Sequence, residues 1–305
     1  MLSHVNIRIS TILRAASLAL ISSLPCSLLA ADNVMPPLNT IPSQAHLSGK
    51  FEWADLFTDN PEGEAKFYTQ VLGWTSETTT RKGHTYILIS NGGETIAGIV
   101  PSSAKRREDS VPRWIGFAAT DDIGKAIETL NQAGGKTLAK PREVKERGKL
   151  AIAQDSQGSV FGLIQSSSGD VPDYEPAVGE LAWAELFSDN PKAAADFYSK
   201  TFHYQSVADS AHADDNHLFL ANGEFARAGV SSSPPWEGGK SDWLLFFCVA
   251  DASATATKAT QLGGTVLVSP HESKHGGQVA VIADPLGGVF GILELETANT
   301  LKSTP

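Results

Sequence analysis

His271-Glu272-Ser273-Lys274-His275 carries the spacing H-E-x-x-H, which on a helix sets two imidazoles one turn apart around zinc, with a glutamate as base. That chemistry needs several helical turns. Pro270 precedes the first histidine and Gly276-Gly277 follow the second, so the segment is expected to be a loop whose histidine pair binds adventitious metal, with no peptidase role. The remaining candidates are carboxylates, loop histidines and a tyrosine. Glu52 lies in the apolar segment Phe51-Glu-Trp-Ala-Asp-Leu-Phe57, where desolvation would raise its pKa and make it a general base. A solvated carboxylate at the start of a strand fits the same residue. Asp55 and Glu185 occupy matching places in two similar segments and share strand parity with Trp53 and Trp183. His84, His212 and Tyr86 fall in or beside polar links. The sequence has no Ser-His-Asp order, phosphate loop or dinucleotide fingerprint.

These residues hang on a duplication. Phe51 to Trp74, FEWADLFTDNPEGEAKFYTQVLGW, returns as LAWAELFSDNPKAAADFYSKTFHY at Leu181 to Tyr204. In each copy apolar residues alternate up to Asp-Asn-Pro, which reads as a strand running into a helix. Asn60 or Asp59 can cap the helix, and Pro61 suits its first position because the missing N–H would be unpaired there. Ala65, Tyr68 and Leu72, like Ala194, Tyr198 and Phe202, form an apolar stripe at helical spacing. Asn91-Gly92 and Asn222-Gly223 then mark hairpins. The pattern restarts near Trp114 and Trp243, giving two such modules in each repeat.

The N-terminal Arg8 and Arg14, the apolar run Ala15 to Ala30 and the small residues Ala30-Ala31 read as a cleaved secretory signal over residues 1–31. Export to the periplasm or the medium is expected. A flexible leader (32–50), domains at 51–165 and 180–296, a linker (166–179) and a tail (297–305) complete the organisation. Cleavage removes two arginines and no acid, so the formal charge moves from −10 to −12. An acidic chain of this kind does not point to nucleic acid or an anionic membrane surface as partner. Lys105-Arg106-Arg107 is a basic cluster expected in a solvated loop. Cys248 alone survives processing, which excludes an intrachain disulfide.

Four such modules, with D-x-x-x-A-x-x-F-Y after the first strand and paired glycines before a later one, resemble the vicinal oxygen chelate superfamily, which includes glyoxalase I and the bleomycin resistance proteins. The resemblance covers Phe51 to about Glu296 and implies an α+β fold of four βαβββ modules, forming two tandem domains that each enclose a small-molecule cleft. It also implies where metal ligands would stand. The first-strand positions are Glu52 and Ile115 in the first domain, and Ala182 and Leu244 in the second. The last-strand positions are Gly98, Gly162, Gly229 and Gly291. Among these only Glu52 offers a donor, so no metal or other cofactor is expected. Glycines at equal depth would either open the cleft floor to a flat ligand or curve the strands.

On this reading Glu52 faces the first cleft as a candidate catalytic base. Trp53, Asp55, Tyr68, Trp183, Glu185 and Tyr198 are buried structural residues, with Asp55 and Glu185 under the helices and bonded to a Tyr hydroxyl or Trp N–H. Three functions stay open. One is metal-free binding or sequestration of an aromatic or carboxylated small molecule. Another is an enzyme of lyase, isomerase or dioxygenase type, using Glu52 or a displaced Zn, Ni, Mn or Fe site. The third is an acidic protein-interaction module with vestigial clefts. Residues 142–147 make the first cleft rim more basic than 271–276 make the second, which predicts that an anionic ligand prefers the first domain. The sequence does not fix the oligomeric state.

Overall fold

A computed structural model describes residues 35–81, 84–102, 111–210, 217–232, 234 and 242–296. The signal segment, the basic cluster Lys105-Arg106-Arg107, His212 and the tail lie outside the described residues, as does the side chain of His84.

The first half contains β1 (Phe51–Thr58), α1 (Pro61–Leu72), β2 (Thr75–Arg81), β3 (His84–Asn91), β4 (Glu94–Pro101), β5 (Arg113–Ala119), α2 (Ile123–Gln132), β6 (Lys136–Val144), β7 (Gly148–Gln154) and β8 (Val160–Ser166). The second contains β9 (Leu181–Ser188), α3 (Pro191–Phe202), β10 (Gln205–Ala208), β11 (Leu218–Asn222), β12 (Phe225–Ser232), β13 (Asp242–Cys248), α4 (Ala252–Gln261), β14 (Thr265–Glu272), β15 (Gln278–Ala283) and β16 (Val289–Glu294). These are four βαβββ modules in an α+β fold.

Each half folds into one eight-stranded sheet, in the orders β2-β3-β4-β1-β5-β8-β7-β6 and β10-β11-β12-β9-β13-β16-β15-β14. Two modules join where the first strand of one lies antiparallel to the first strand of the next, β1 on β5 and β9 on β13. The helices start as the sequence dictates. The Asn60 side chain accepts from the Gly63 N–H, Asn190 does the same for Ala193, and Pro61 and Pro191 occupy first positions that need no donor. Gly73 ends α1 in the left-handed region at φ 76°, a conformation His203 also adopts after α3.

Every sheet has a helix face and an outer face. On the helix face, Phe51, Ala54, Leu56, Trp114 and Ala118 share one core with Ala184, Leu186, Trp243, Leu245 and Phe247 from the other half. The central strands of the two sheets meet there, with α1 beside α4 and α2 beside α3 on the flanks. Two equivalent cross-links pin the halves together. The Tyr68 hydroxyl donates to Asp284 at 3.0 Å and accepts from the Trp114 indole at 2.9 Å, and Tyr198 does the same with Asp155 at 3.0 Å and Trp243 at 2.8 Å. Asp155 and Asp284 also cap their own turns, accepting from the Ser159 and Gly288 N–H groups. The two domains of the sequence repeat therefore share a single interior.

The outer faces curl. Tyr86 on β3 and Leu138 and Ala139 on β6, near opposite ends of one sheet, pack on the same cluster as Trp53, Phe57, Ile115, Phe117, Leu150 and Ile152. Met35 and Leu38 of the leader lie on this cluster, and Asn39, Ser43 and Leu47 bond to residues 168–170. Among the described residues no helix is long and apolar enough to cross a membrane.

Candidate functional site

On the outer face of the first half, one polar group stands among apolar walls. Its residues come from three places in the sheet. Trp53 and Asp55 share a face of β1, Tyr86 sits on β3, and Arg147 belongs to the β6–β7 turn. The Trp53 indole donates to Asp55 Oδ1 at 2.9 Å, and the Tyr86 hydroxyl donates to the same oxygen at 2.7 Å. Arg147 is aimed by its own backbone. Its N–H bonds to Val144 O at 3.0 Å and its carbonyl accepts from Ser167 at 3.1 Å, with Glu146 at φ 70° bending the turn. The guanidinium then lies 3.8 Å from the Trp53 ring centre, a cation–π contact.

Arg147 is 0% exposed, and none of its three guanidinium nitrogens has a hydrogen-bond partner among the described residues. Burial lowers its pKa to about 10, so it remains a cation at neutral pH. Burial also raises the Asp55 carboxyl, against the Tyr86 and Trp53 hydrogen bonds that lower it. Glu52 is pushed up to about 8 by burial first and by Asp170 second. Its Oε2 accepts from the Val171 N–H at 2.8 Å, and its Oε1 has no partner among the described residues.

This placement corrects the expected strand parity. Asp55 and Glu185 face outward, away from the helices, while Glu52 is held at the end of β1 under the linker. The cause is a register shift between Phe51 and Trp53, where β1 gains one residue against β5. Alternation counted through that shift assigns the wrong faces. Of the donors expected for these acids, the Trp indoles serve; Tyr68 and Tyr198 bond across the halves instead. Trp53, Asp55, Tyr68, Glu185 and Tyr198 are buried, and Trp183 is half-buried.

The four glycines lie on the outer faces, but side chains of this chain occupy the space above them. A Cβ at Gly98 would overlap the Tyr86 hydroxyl, one at Gly162 the Phe117 ring, one at Gly229 the Glu185 carboxylate and one at Gly291 the Phe246 ring. Their smallness admits those groups and leaves no bare backbone floor. Ile115 and Leu244 line the outer faces and offer no donor, and Ala182 is half-buried at the start of β9.

The second half builds a different group on the same frame. Trp183 donates to Glu185 Oε2 at 2.8 Å and Ser231 to Oε1 at 2.5 Å. His217 takes the place of Tyr86, since Leu88 pairs with Gly98 as Phe219 pairs with Gly229. Its Nε2 is 3.3 Å from Glu185 Oε1 and its Nδ1 2.8 Å from Asp209 Oδ2, which also lies 2.7 Å from His275 Nε2. Burial pushes the His217 imidazole down, but Glu185 and Asp209 outweigh it and hold the pKa above its ordinary value. His271 stays outside this group, exposed on β14 with Nδ1 near Ser269 O. The H-E-x-x-H spacing thus falls on a strand and a turn, which no peptidase geometry allows. Donor atoms of Asp209, His217 and His275 lie within 4.8 Å of one another, as do those of His46, Asp121 and Asp170. The expectation of no metal, drawn from the usual ligand positions alone, overlooked these sets.

Sequence reasoning missed Arg147, Asp209 and His217 as site residues. For His217 a signal existed, the alignment of the two hairpins that sets it opposite Tyr86.

Residues 50–163 match the glyoxalase/bleomycin resistance protein/dioxygenase superfamily, and residues 185–293 match the glyoxalase-like domain. The chain is 29% identical over 248 residues to the "Putative glyoxylase CFP32" of Mycobacterium tuberculosis (strain CDC 1551 / Oshkosh), covering 81% of this chain and 95% of that protein. It is 27% identical over 255 residues to the anthracycline biosynthesis protein DnrV of Streptomyces peucetius, covering 80% and 92%. Its fold is similar to that of the 2,3-dioxygenase LapB from Pseudomonas sp. KL28, with a TM-score of 0.58 at 15% identity, covering 86% of this chain and 97% of that one. Matched in both halves over more than half of its length, the chain belongs to the glyoxalase/bleomycin resistance protein/dioxygenase superfamily as two tandem domains.

Proposed function

We propose that this chain is an exported small-molecule-binding protein whose first half receives a flat organic anion, its carboxylate on Arg147 and its ring against the apolar outer face. The carrying observation is Arg147, a fully buried cation with no hydrogen-bond partner among the described residues. Burying an unpaired charge costs several kcal/mol, so a fold that keeps one gains by pairing it with something it binds. A carboxylate suits the guanidinium fork, which donates two parallel bonds to it. Around the fork, Trp53, Phe57, Ile115, Phe117, Leu150 and Ile152 supply an apolar wall. The polar centre is small and the surround apolar, as in most small-molecule sites. Similarity to an anthracycline biosynthesis protein supports a flat, ring-bearing ligand class.

An enzymatic reading rests on Glu52. Its raised pKa and unpartnered Oε1 near Arg147 give it the character of an acid–base group for an isomerase or lyase reaction on the bound anion. At the usual ligand positions of the first half only Glu52 offers a donor, so no metal step is derived there.

The test is a titration of the full mature chain with carboxylated aromatics and their matching carboxamides, followed by intrinsic tryptophan fluorescence. The proposal expects the carboxylates to bind at least tenfold more tightly. Equal affinity for acids and amides would remove its basis. Release of a transformed product by wild type but not by Glu52→Gln would favour the enzymatic reading.

A further inference from the structure

We infer that the second half holds a divalent transition-metal site formed by Asp209, His217 and His275, at the place where opposite edges of its curled sheet meet. Asp209 follows β10 and His217 precedes β11, and the backbone bond from the Asp209 N–H to His217 O at 3.1 Å keeps them side by side. His275 comes from the β14–β15 turn at the other end of the strand order β10-β11-β12-β9-β13-β16-β15-β14. Only the curl of the sheet brings these 66-residue-separated groups into contact.

The donor set is chemically coherent. Two imidazole nitrogens and one carboxylate suit zinc and its first-row neighbours, whereas magnesium and calcium select oxygen ligands. His217 Nδ1 and His275 Nε2 lie 2.8 and 2.7 Å from the same oxygen, Asp209 Oδ2. A metal with bonds of about 2.0 Å needs its ligand atoms roughly 3.3 Å apart in tetrahedral geometry, so each nitrogen must draw back from Asp209 Oδ2 by about half an ångström, while all three donor atoms already lie within 4.8 Å of one another. The second ring nitrogen of His217 faces Glu185 at 3.3 Å, and Glu185 is itself fixed by Trp183 and Ser231. A carboxylate behind a ligating histidine sets its tautomer and strengthens it as a ligand. Three protein ligands are one fewer than a closed tetrahedral site takes, and Phe219 packs against both imidazoles, at 4.9 Å from the His217 ring and 5.3 Å from the His275 ring.

The site is new to this half and is displaced from the positions where the superfamily's ligands stand, which here are Ala182, Leu244, Gly229 and Gly291. The equivalent places in the first half are Thr79, Tyr86 and Glu146, from strand register and the shared turn glycines Gly148 and Gly277. That set lacks both imidazoles. The pairing of His275 with Asp209 and His217 also explains which half of the H-E-x-x-H spacing matters. This inference does not depend on Arg147, and the two fail separately.

The experiment uses the full mature chain, freed of metal by chelator and then titrated calorimetrically with zinc and with cobalt. One ion per chain at micromolar or tighter Kd is expected, with cobalt giving the visible absorption of a four- or five-coordinate site. His275→Ala and Asp209→Asn should each weaken binding at least a hundredfold, and Glu185→Gln by ten- to a hundredfold through His217. His46→Ala, which removes a ligand from the other donor group, should change nothing. Circular dichroism of each variant separates lost binding from lost fold. No saturable binding, or binding that survives both His275→Ala and Asp209→Asn, or binding abolished by His46→Ala, would overturn the assignment.

Discussion

Replacing Arg147 by methionine should leave the protein about as stable as wild type and unable to bind its ligand. The volume and the stem are nearly kept, so the change removes the buried charge and little else. An unpaired buried ion is unfavourable relative to an apolar side chain of similar size, and replacements of buried ionic groups gain roughly 1–4 kcal/mol. Two terms offset that gain. The stacking on Trp53 contributes about 2 kcal/mol when desolvated. Attraction to the Asp55 carboxylate is the other, whereas attraction to Glu52 is weak at neutral pH, because a carboxyl with a pKa of about 8 is mostly protonated there. Subtracting about 2 kcal/mol of stacking from a gain of roughly 1–4 kcal/mol leaves a net between about −1 and +2 kcal/mol, so at about 2–4 °C per kcal/mol the melting temperature of Arg147→Met should stay within a few degrees of wild type. Thermal denaturation at pH 7, followed by circular dichroism, measures it. Ligand separates the two proteins. At a hundred times Kd a carboxylate adds about 2.7 kcal/mol to wild type and nothing to the variant. If Arg147→Met instead loses the roughly 3–5 kcal/mol that breaking a buried ion pair costs, and no anion stabilises wild type, Arg147 is a structural cation paired within the chain and the reasoning fails.

Glu52→Gln should stabilise the protein only at higher pH. The folded pKa is raised, so wild-type stability falls as pH climbs from about 4.5 to 8 and then levels, and a pH series of melting temperatures should show the variant's advantage growing over that window. Tyr68→Phe and Tyr198→Phe should each cost about 1–3 kcal/mol, since each strands the buried indole N–H of Trp114 or Trp243. Denaturant unfolding measures the loss, and one cooperative transition is expected from two halves that share a core. Gly98→Ala should cost a similar amount and weaken anion binding in the calorimeter, because its methyl displaces Tyr86 and Asp55.

The repeat, the helix starts and the superfamily were readable because they are local. Asn60 accepts from the Gly63 N–H three residues on, and the same letters recur in the second half. The edge strand β2, Thr-Ser-Glu-Thr-Thr-Thr-Arg, gave no apolar alternation because an edge strand with polar faces has none to give. The site was harder. One extra residue at Glu52 reversed the faces of a whole strand, and no periodicity count sees a bulge. Arg147, Asp209 and His275 converge only when an eight-stranded sheet curls, so their proximity is a property of the sheet and not of spacing along the chain. The Tyr68–Asp284 and Tyr198–Asp155 bonds link repeats that, as sequence, read as separate domains.

The central claim is that Arg147 is the anion receptor of the first half. A structure of the mature chain with the tightest-binding carboxylate tests it most directly. The account predicts the carboxylate oxygens about 2.7–2.9 Å from two Arg147 nitrogens, with the ligand ring among Trp53, Ile115 and Phe117. A ligand bound elsewhere, with the Arg147 guanidinium still on the Trp53 ring and without a carboxylate partner, would contradict it.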